Sequence, residues 1–170
     1  MVDFNKNILS QIDLHYGKVS MPKGFEINHD KLLGDNLESL YLKKDFPFSK
    51  TWDMLNTYIV EHVRLKFNYV FENKKTWGDV YQPFEKTFPL LDANPLDLIN
   101  SSDFTCLYGV KVDKCFIRIH YDDNRKKNRS WDIELKDNMF IIFPSTNTYT
   151  ISNHQNHSLN YIQTILYELK

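Results

Sequence analysis

Histidine and aspartate occur at a metal-ligand spacing in one part of the chain. His120 and Asp122 form a His-x-Asp pair, and His154 or His157 would supply a third ligand further along. Iron and zinc both accept imidazole nitrogens and carboxylates. One hypothesis is therefore a metal site formed by His120, Asp122 and His157. The alternative, which we favour, is a charged and solvated loop, because Asp122 opens the run Asp-Asp-Asn-Arg-Lys-Lys-Asn-Arg.

Other sequence patterns that carry chemistry do not occur in the chain. It has no glycine-rich phosphate loop, no Cys-x-x-Cys pair and no Gly-x-Ser-x-Gly elbow. The net charge is −1, which gives no electrostatic reason to expect nucleic acid or an anionic membrane as a partner. No apolar run approaches the ~20 residues of a membrane span, and no signal-peptide pattern is present. We therefore expect a soluble protein of cytoplasmic origin.

The length and composition indicate one folded domain. The chain has 170 residues, of which 42% are hydrophobic and 15% aromatic, enough for a single core. We expect one domain over 1–170, with strands and a helix in 1–76 and a β core in 77–170. Cys106 and Cys115 are the two cysteines, and we expect no disulfide between them.

A helix is predicted in the first half of the chain. Ser49 is a suitable N-cap, and apolar residues then recur at three- and four-residue spacing. These residues are Trp52, Leu55, Ile59, Val63, Phe67 and Val70. The pattern predicts one amphipathic helix over roughly 50–71, packed against a sheet. The first ~45 residues, which include an apolar patch from Ile8 to Leu14, are predicted to form strands and turns.

Short strands are predicted in the second half. Residues 104–112 and 115–121 are rich in β-branched and aromatic side chains and flank a turn, which favours a hairpin. Apolar residues alternate over 131–135, and the run 139–143 is typical of a strand buried on both faces. Residues 159–169 form a last strand. The fold class is therefore mainly β with flanking α: a double-stranded β-helix, or jelly roll, with one long helix packed outside.

A family resemblance begins at Phe143-Pro144-Ser145, which ends an apolar strand. The segment is similar to the C-terminal half of a 2-oxoglutarate/Fe(II) oxygenase family, and the resemblance covers roughly 77–169. In that family Phe-Pro-Ser-x-x-x-His carries the distal iron ligand, and Arg-x-Ser eleven residues later binds 2-oxoglutarate. A Trp upstream is followed after thirteen and fifteen residues by the other two ligands, His-x-His or His-x-Asp.

The resemblance implies a ligand set that this sequence mostly lacks. From Trp77, the proximal pair falls on Leu90 and Asp92, and the distal ligand falls on Tyr149. The arginine and serine positions hold Asn160 and Ile162. Leucine has no lone pair, a phenol has a pKa of about 10, and an amide does not replace the guanidinium that binds the dianion. These five residues would then form a vestigial pocket that holds no metal and no cofactor.

The remaining carboxylate allows one specific prediction. If Asp92 faces the inside of a closed barrel, it needs a hydrogen-bond donor. We predict that the Tyr149 hydroxyl donates to it across the position that a metal would occupy.

The resemblance suggests three functions. The first is a non-catalytic, oxygenase-derived structural or protein-interaction module, for example a phage virion component, with protein partners in an oligomer or larger assembly. The second is an active hydroxylase that uses Fe(II) and 2-oxoglutarate, with His120, Asp122 and His157 as ligands. The third is a cupin-like protein that binds a small apolar ligand near Leu90, Tyr149 and Ile162.

Overall fold

The structure is a computed structural model that describes residues 13–42, 49–121 and 129–170. The described chain forms, in order, β1 (His15–Lys18), α1 (His29–Leu42), α2 (Lys50–Phe67), β2 (Phe71–Tyr81), β3 (Phe104–Lys111), β4 (Cys115–Tyr121), β5 (Arg129–Leu135), β6 (Met139–Pro144), β7 (Tyr149–Asn153) and β8 (Asn160–Leu169). The major sheet has the order β1-β6-β3-β8-β2, and the minor sheet has the order β5-β4-β7. All strand pairs within both sheets are antiparallel. Two facing antiparallel sheets confirm the predicted jelly roll.

Helix α2 begins where the sequence predicts and ends earlier. The Ser49 side chain accepts a hydrogen bond from the backbone N–H of Trp52 at 3.2 Å, as expected of an N-cap. The helix ends at Phe67 rather than near 71 because Asn68 adopts a left-handed conformation with φ of 59°. Its apolar face is buried, and together with α1 it covers the outer face of the major sheet.

Helix α1 is a second helix, in a region where strands and turns were expected. Its buried positions include the polar residues Asp35, Asn36 and Ser39, so the apolar periodicity that reveals a helix is weak. The helix lies unusually close to the sheet at Gly78. A Cβ atom at Gly78 would lie 2.6 Å from the Asn36 Cα, so only glycine fits there.

Strand β6 separates two hydrophobic cores. Ile141 and Phe143 face the core between the sheets, whereas Phe140 and Ile142 face the helices. This alternation explains why the run 139–143 is continuously apolar, as predicted. The cysteines follow the same division, because Cys106 lies in the helix-side core and Cys115 lies between the sheets. Both are free thiols, which confirms the expectation of no disulfide.

The predicted hairpin between 104–112 and 115–121 is wrong. Strand β3 pairs with β6 and β8, whereas β4 pairs with β5 and β7. The turn at 112–114 therefore carries the chain from one sheet to the other. Turn residues predict a change of direction, but they do not determine which strand becomes the hydrogen-bonded neighbour.

Some of the sequence-based expectations concern residues outside the described ranges. These are most of the apolar patch that begins at Ile8 and the charged loop over 122–128, including Asp122. In the described part of the chain, neither helix combines the length and the apolar character needed to cross a membrane.

Candidate functional site

Residues 84–93 run alongside β7 and bring positions 90 and 149 together. The backbone N–H of Leu90 donates to the Tyr149 carbonyl at 2.8 Å, and the Tyr149 N–H donates back to the Leu90 carbonyl at 3.0 Å. A third bond joins the Thr87 N–H to the Ile151 carbonyl at 3.0 Å. The sequence spacing from Trp77 and from Phe-Pro-Ser therefore led to two positions that lie directly opposite each other.

The Asp92 carboxylate accepts two hydroxyl hydrogen bonds. The Tyr149 hydroxyl donates to Asp92 Oδ2 at 3.0 Å, which is the predicted contact. Thr105 Oγ1 donates to the same oxygen at 2.8 Å. Because the Thr105 proton is used there, Ser145 Oγ donates to Thr105 Oγ1 at 3.0 Å. The result is a hydroxyl network around one carboxylate, at the positions that the sequence resemblance assigns to the metal ligands.

Tyr149 is held as a hydrogen-bond donor. It is buried, and its ring packs edge-on against Phe143 at a centroid distance of 5.1 Å. Burial raises the pKa of the Tyr149 phenol far above its usual value, and the negative charge of Asp92 raises it further. The phenol therefore keeps its proton at neutral pH. A protonated phenol is a poor replacement for the neutral imidazole that binds iron in the family.

A second carboxylate, Asp79, lies inside the barrel and was not among the predicted site residues. It accepts a hydrogen bond from Thr164 Oγ1 at 3.0 Å, and Trp77 also donates to it. Burial raises the pKa of Asp79, and the charge of Asp92 adds to this shift. In the β2–β8 register Asp79 stands opposite Ile162, the position that the resemblance assigns to the family's serine. Asp79 could have been found from the sequence, because it lies two residues after Trp77 and alternate residues of a strand point to the same face.

The positions that would bind 2-oxoglutarate have structural roles here. Asn160 is buried, and its amide forms two bonds to the backbone of Asp113. Its Oδ1 accepts from the Asp113 N–H at 2.9 Å, and its Nδ2 donates to the Asp113 carbonyl at 3.1 Å. Ile162 is fully buried in the core between the sheets. Leu90, Tyr149 and Ile162 thus belong to the core between the sheets, and Asp92 is bonded to Tyr149 beside it. Asn160 instead fixes the turn between β3 and β4.

The rival metal ligands are not brought together. His120 alternates with the buried isoleucines of β4 and so points away from the interior. The His154 N–H donates to the Lys114 carbonyl, at the opposite end of β4. At ~3.3 Å per residue, this places His154 and the nearby His157 roughly 20 Å along the strand from His120. Asp122 is outside the described residues, and the described part of the chain contains no group of three His, Cys, Asp or Glu residues able to hold a metal.

Comparison with solved structures identifies the fold. A prolyl-4-hydroxylase from Pseudomonas putida superposes with a TM-score of 0.65 at 12% identity, over 92% of this chain and 88% of that one. The epimerase SnoN from nogalamycin biosynthesis gives 0.63 at 9%, over 91% and 76%. The viral collagen prolyl hydroxylase of Paramecium Bursaria Chlorella virus-1 gives 0.62 at 13%, over 91% and 96%. The sequence itself matches no protein-family model and no curated protein.

The chain therefore has the fold of the 2-oxoglutarate/Fe(II) oxygenases, as the resemblance implied. The comparison overturns the expectation of no cofactor. SnoN is described as alpha-ketoglutarate dependent and as a complex with Fe³⁺ and alpha-ketoglutarate, and the viral enzyme as a 2-oxoglutarate complex. These proteins point to iron and 2-oxoglutarate as the cofactor pair associated with this fold.

The residues at the site do not fit that pair. Leu90 offers no ligand atom, Tyr149 keeps its proton, and Asn160 is bonded to the backbone of Asp113. Asp79 adds a second carboxyl group opposite Ile162, where the resemblance assigns the family's serine, and a carboxyl group does not replace the guanidinium that binds the dianion. The fold and the donor set therefore disagree.

Proposed function

We propose that this protein is a non-catalytic protein-interaction module built on the oxygenase fold. The proposal rests chiefly on one observation: Asp92, the remaining carboxylate at the ligand positions, is bonded by the hydroxyls of Thr105 and Tyr149. Iron in these enzymes needs two imidazoles and a carboxylate on one octahedral face, with positions left for 2-oxoglutarate and oxygen. A leucine and a protonated phenol beside Asp92 do not provide that face.

The rest of the interior supports the same proposal. Phe143, Ile162 and Leu107 fill the space between the sheets with tightly packed apolar side chains. A rigid body with exposed loops is what such a fold retains when its centre has no chemistry to perform. A phage virion is one setting for such a module, and this setting stays a prediction from the sequence.

The test is turnover of 2-oxoglutarate. Purified protein is supplied with Fe(II), ascorbate, oxygen and 2-oxoglutarate, and succinate is measured against a reaction without protein. We expect no succinate above that background. Succinate formed in proportion to protein, and abolished by Asp92→Ala, would refute the proposal.

A double variant tests whether the side chains at positions 90 and 149 are the reason that the native site does not bind iron. The double substitution Leu90→His with Tyr149→His places two imidazoles beside Asp92, which recreates a two-histidine, one-carboxylate ligand set. We expect this variant to bind Co(II), a spectroscopic substitute for Fe(II), at least ~10-fold more tightly than the native chain. Equal Co(II) affinity would show that positions 90 and 149 do not face a common centre.

A second candidate is an active Fe(II)/2-oxoglutarate-dependent hydroxylase. It is favoured by the fold neighbours, two of which are named as prolyl hydroxylases, and by the carboxylate at position 92. The succinate assay distinguishes the two candidates directly. Metal analysis adds an independent measurement, because stoichiometric iron together with succinate release would support the hydroxylase.

A further inference from the structure

The contact between helix α1 and the major sheet buries polar atoms that no other group of the described chain satisfies. In that part of the chain, five buried side-chain atoms lack a hydrogen-bond partner, and four of them belong to three residues at this contact. They are Oδ2 of Asp35, Oδ1 and Nδ2 of Asn36, and Oε1 of Gln163. All three side chains are fully buried. Because buried polar groups are nearly always bonded, this contact, which we call the α1 seam, requires an explanation.

Asn36 and Gln163 approach each other across the α1 seam. Gly78 of β2 stands opposite Gln163 of β8, and residues that stand opposite each other in paired strands point to the same face of the sheet. Asn36 Oδ1 lies 2.5 Å from the place that a Cβ atom of Gly78 would take. Opposite Cβ atoms are about 5 Å apart, so Asn36 Oδ1 lies within roughly 8 Å of the Gln163 Cβ. A water molecule bonded on both sides spans about 5.5 Å, and the Gln163 side chain covers the rest.

The chemistry of the unpartnered atoms selects the ligand. The Asn36 amide leaves both a donor and an acceptor without a partner, and Gln163 leaves an acceptor. A cation would satisfy only the oxygens, and an anion would satisfy only the N–H group. Water both donates and accepts, and a buried water typically makes about three hydrogen bonds to such groups. Since the side chains are fully buried, a larger molecule would have to displace α1. Water is therefore the ligand that fits.

Another buried asparagine shows how the protein satisfies an amide by itself. Asn153 Nδ2 donates to three backbone carbonyls at 3.0–3.1 Å, which belong to Tyr81, Gln82 and Ser158. Asn153 is 1% exposed and Asn36 is fully buried, so the two side chains are almost equally removed from solvent. The described chain supplies partners for the amide of Asn153 and none for the amide of Asn36. Asn153 is consequently a suitable control.

We propose that the α1 seam is a binding site for buried water, in which one molecule accepts a hydrogen bond from Asn36 Nδ2 and donates one to Gln163 Oε1. This water joins α1 to the sheet without a direct contact between the two amides. It explains how α1 packs through a polar face, whereas α2 packs through apolar residues such as Trp52 and Leu55. The seam lies on the helix side of the major sheet, so the inference goes beyond the proposed function and does not depend on it.

The first test is NMR of the side-chain amides in the native protein. Cross-relaxation between water and the Asn36 amide protons should appear, with the sign given by a water molecule that stays bound longer than the protein tumbles. The amide protons of Asn153 are the control and should show no such signal. A native protein without the Asn36 signal overturns the proposal, and this result depends on no variant.

A variant tests the bridge itself. Gln163→Met keeps the length of the side chain and removes the acceptor, so the Asn36 signal should fall at least ~3-fold because the water loses one of its few partners. Unchanged amide shifts in α2 show that the variant is folded. An equal Asn36 signal in the folded variant means that the water does not bridge the two residues, and overturns the proposal.

Salt distinguishes water from a cation. Sodium or potassium chloride at ~100 mM, compared with choline chloride at the same ionic strength, should leave the Asn36 and Gln163 amide resonances and the water signal unchanged. A saturable shift of both resonances with sodium or potassium, together with loss of the water signal, would assign the seam to an ion and overturn the proposal.

Thermal unfolding gives an independent measurement. Asn36→Ala, Gln163→Ala and the double variant are compared with the native chain. Because Asn36 has no direct hydrogen bond to Gln163, coupling between them indicates a shared ligand. The Tm loss of the double variant should be smaller than the sum of the single losses by at least ~2 °C. Asn36→Ala combined with Asn147→Ala, beside the minor sheet, is the control and should be additive. Additive losses for Asn36 and Gln163 overturn the proposal.

Discussion

Removal of the Tyr149 hydroxyl tests the network around Asp92. Tyr149→Phe keeps the ring that packs against Phe143 and deletes only the donor at 3.0 Å from Asp92. A hydrogen bond to a charged acceptor contributes ~1.5–3 kcal/mol to stability. Asp92 is half-buried and keeps its bond from Thr105, so the lower end applies, about 1.5 kcal/mol. For a chain of this length, that loss lowers Tm by ~3–6 °C.

The assay is a double-mutant cycle in chemical denaturation. Tyr149→Phe, Asp92→Ala and the double variant are compared with the native chain, and we expect a coupling energy of about 1–2 kcal/mol between the two positions. Tyr41→Phe, at an exposed tyrosine, is the control and should change stability by less than about 0.5 kcal/mol. A coupling energy near zero would mean that Asp92 and Tyr149 do not share the bond, and the proposed register of the site would be refuted.

Two further predictions concern the interior and the turn. Burial raises the pKa of Asp79, so the contribution of Asp79 to stability is greatest below its unfolded-state pKa and is lost as pH rises through its folded-state pKa. Asp79→Asn cannot ionise; its Tm relative to the native chain should therefore increase between about pH 4 and pH 7.5, and a constant difference would contradict this account. Asn160→Ala removes two bonds to the Asp113 backbone and should cost about 2 kcal/mol, or ~4–8 °C in Tm, in thermal unfolding. The exposed His157→Ala is its control, and an Asn160→Ala loss below about 0.5 kcal/mol would show that the turn does not depend on the amide.

The elements predicted correctly are those with strong one-dimensional patterns. Helix α2 combines a capping serine with apolar residues at helical spacing, and both signals are local. Strand β6 is apolar on both faces because it lies between two cores. In each case the pattern in sequence has a single structural explanation.

The elements that were missed depend on contacts between distant residues. Helix α1 buries Asp35 and Asn36 against the sheet, and its approach is possible because Gly78 lies beneath it, far along the chain. The strands on either side of 112–114 belong to different sheets because β3 pairs with β8, whereas β4 pairs with β7. Neither fact is visible in a short window of sequence.

Position and chemistry at the candidate site are encoded separately, which explains why the sequence spacing led to two positions that lie opposite each other although neither carries a histidine. Leu90 and Tyr149 are held opposite each other by two backbone hydrogen bonds, and backbone bonds do not depend on the side chains that the residues carry. Spacing from Trp77 and Phe143 therefore predicts where the side chains meet. What they do there depends on their own atoms and on Thr105 and Ser145, which come from other strands and loops. A substitution at position 90 or 149 can consequently change the chemistry of the centre without moving it, and this is why introducing histidine at both positions is an informative change in this protein.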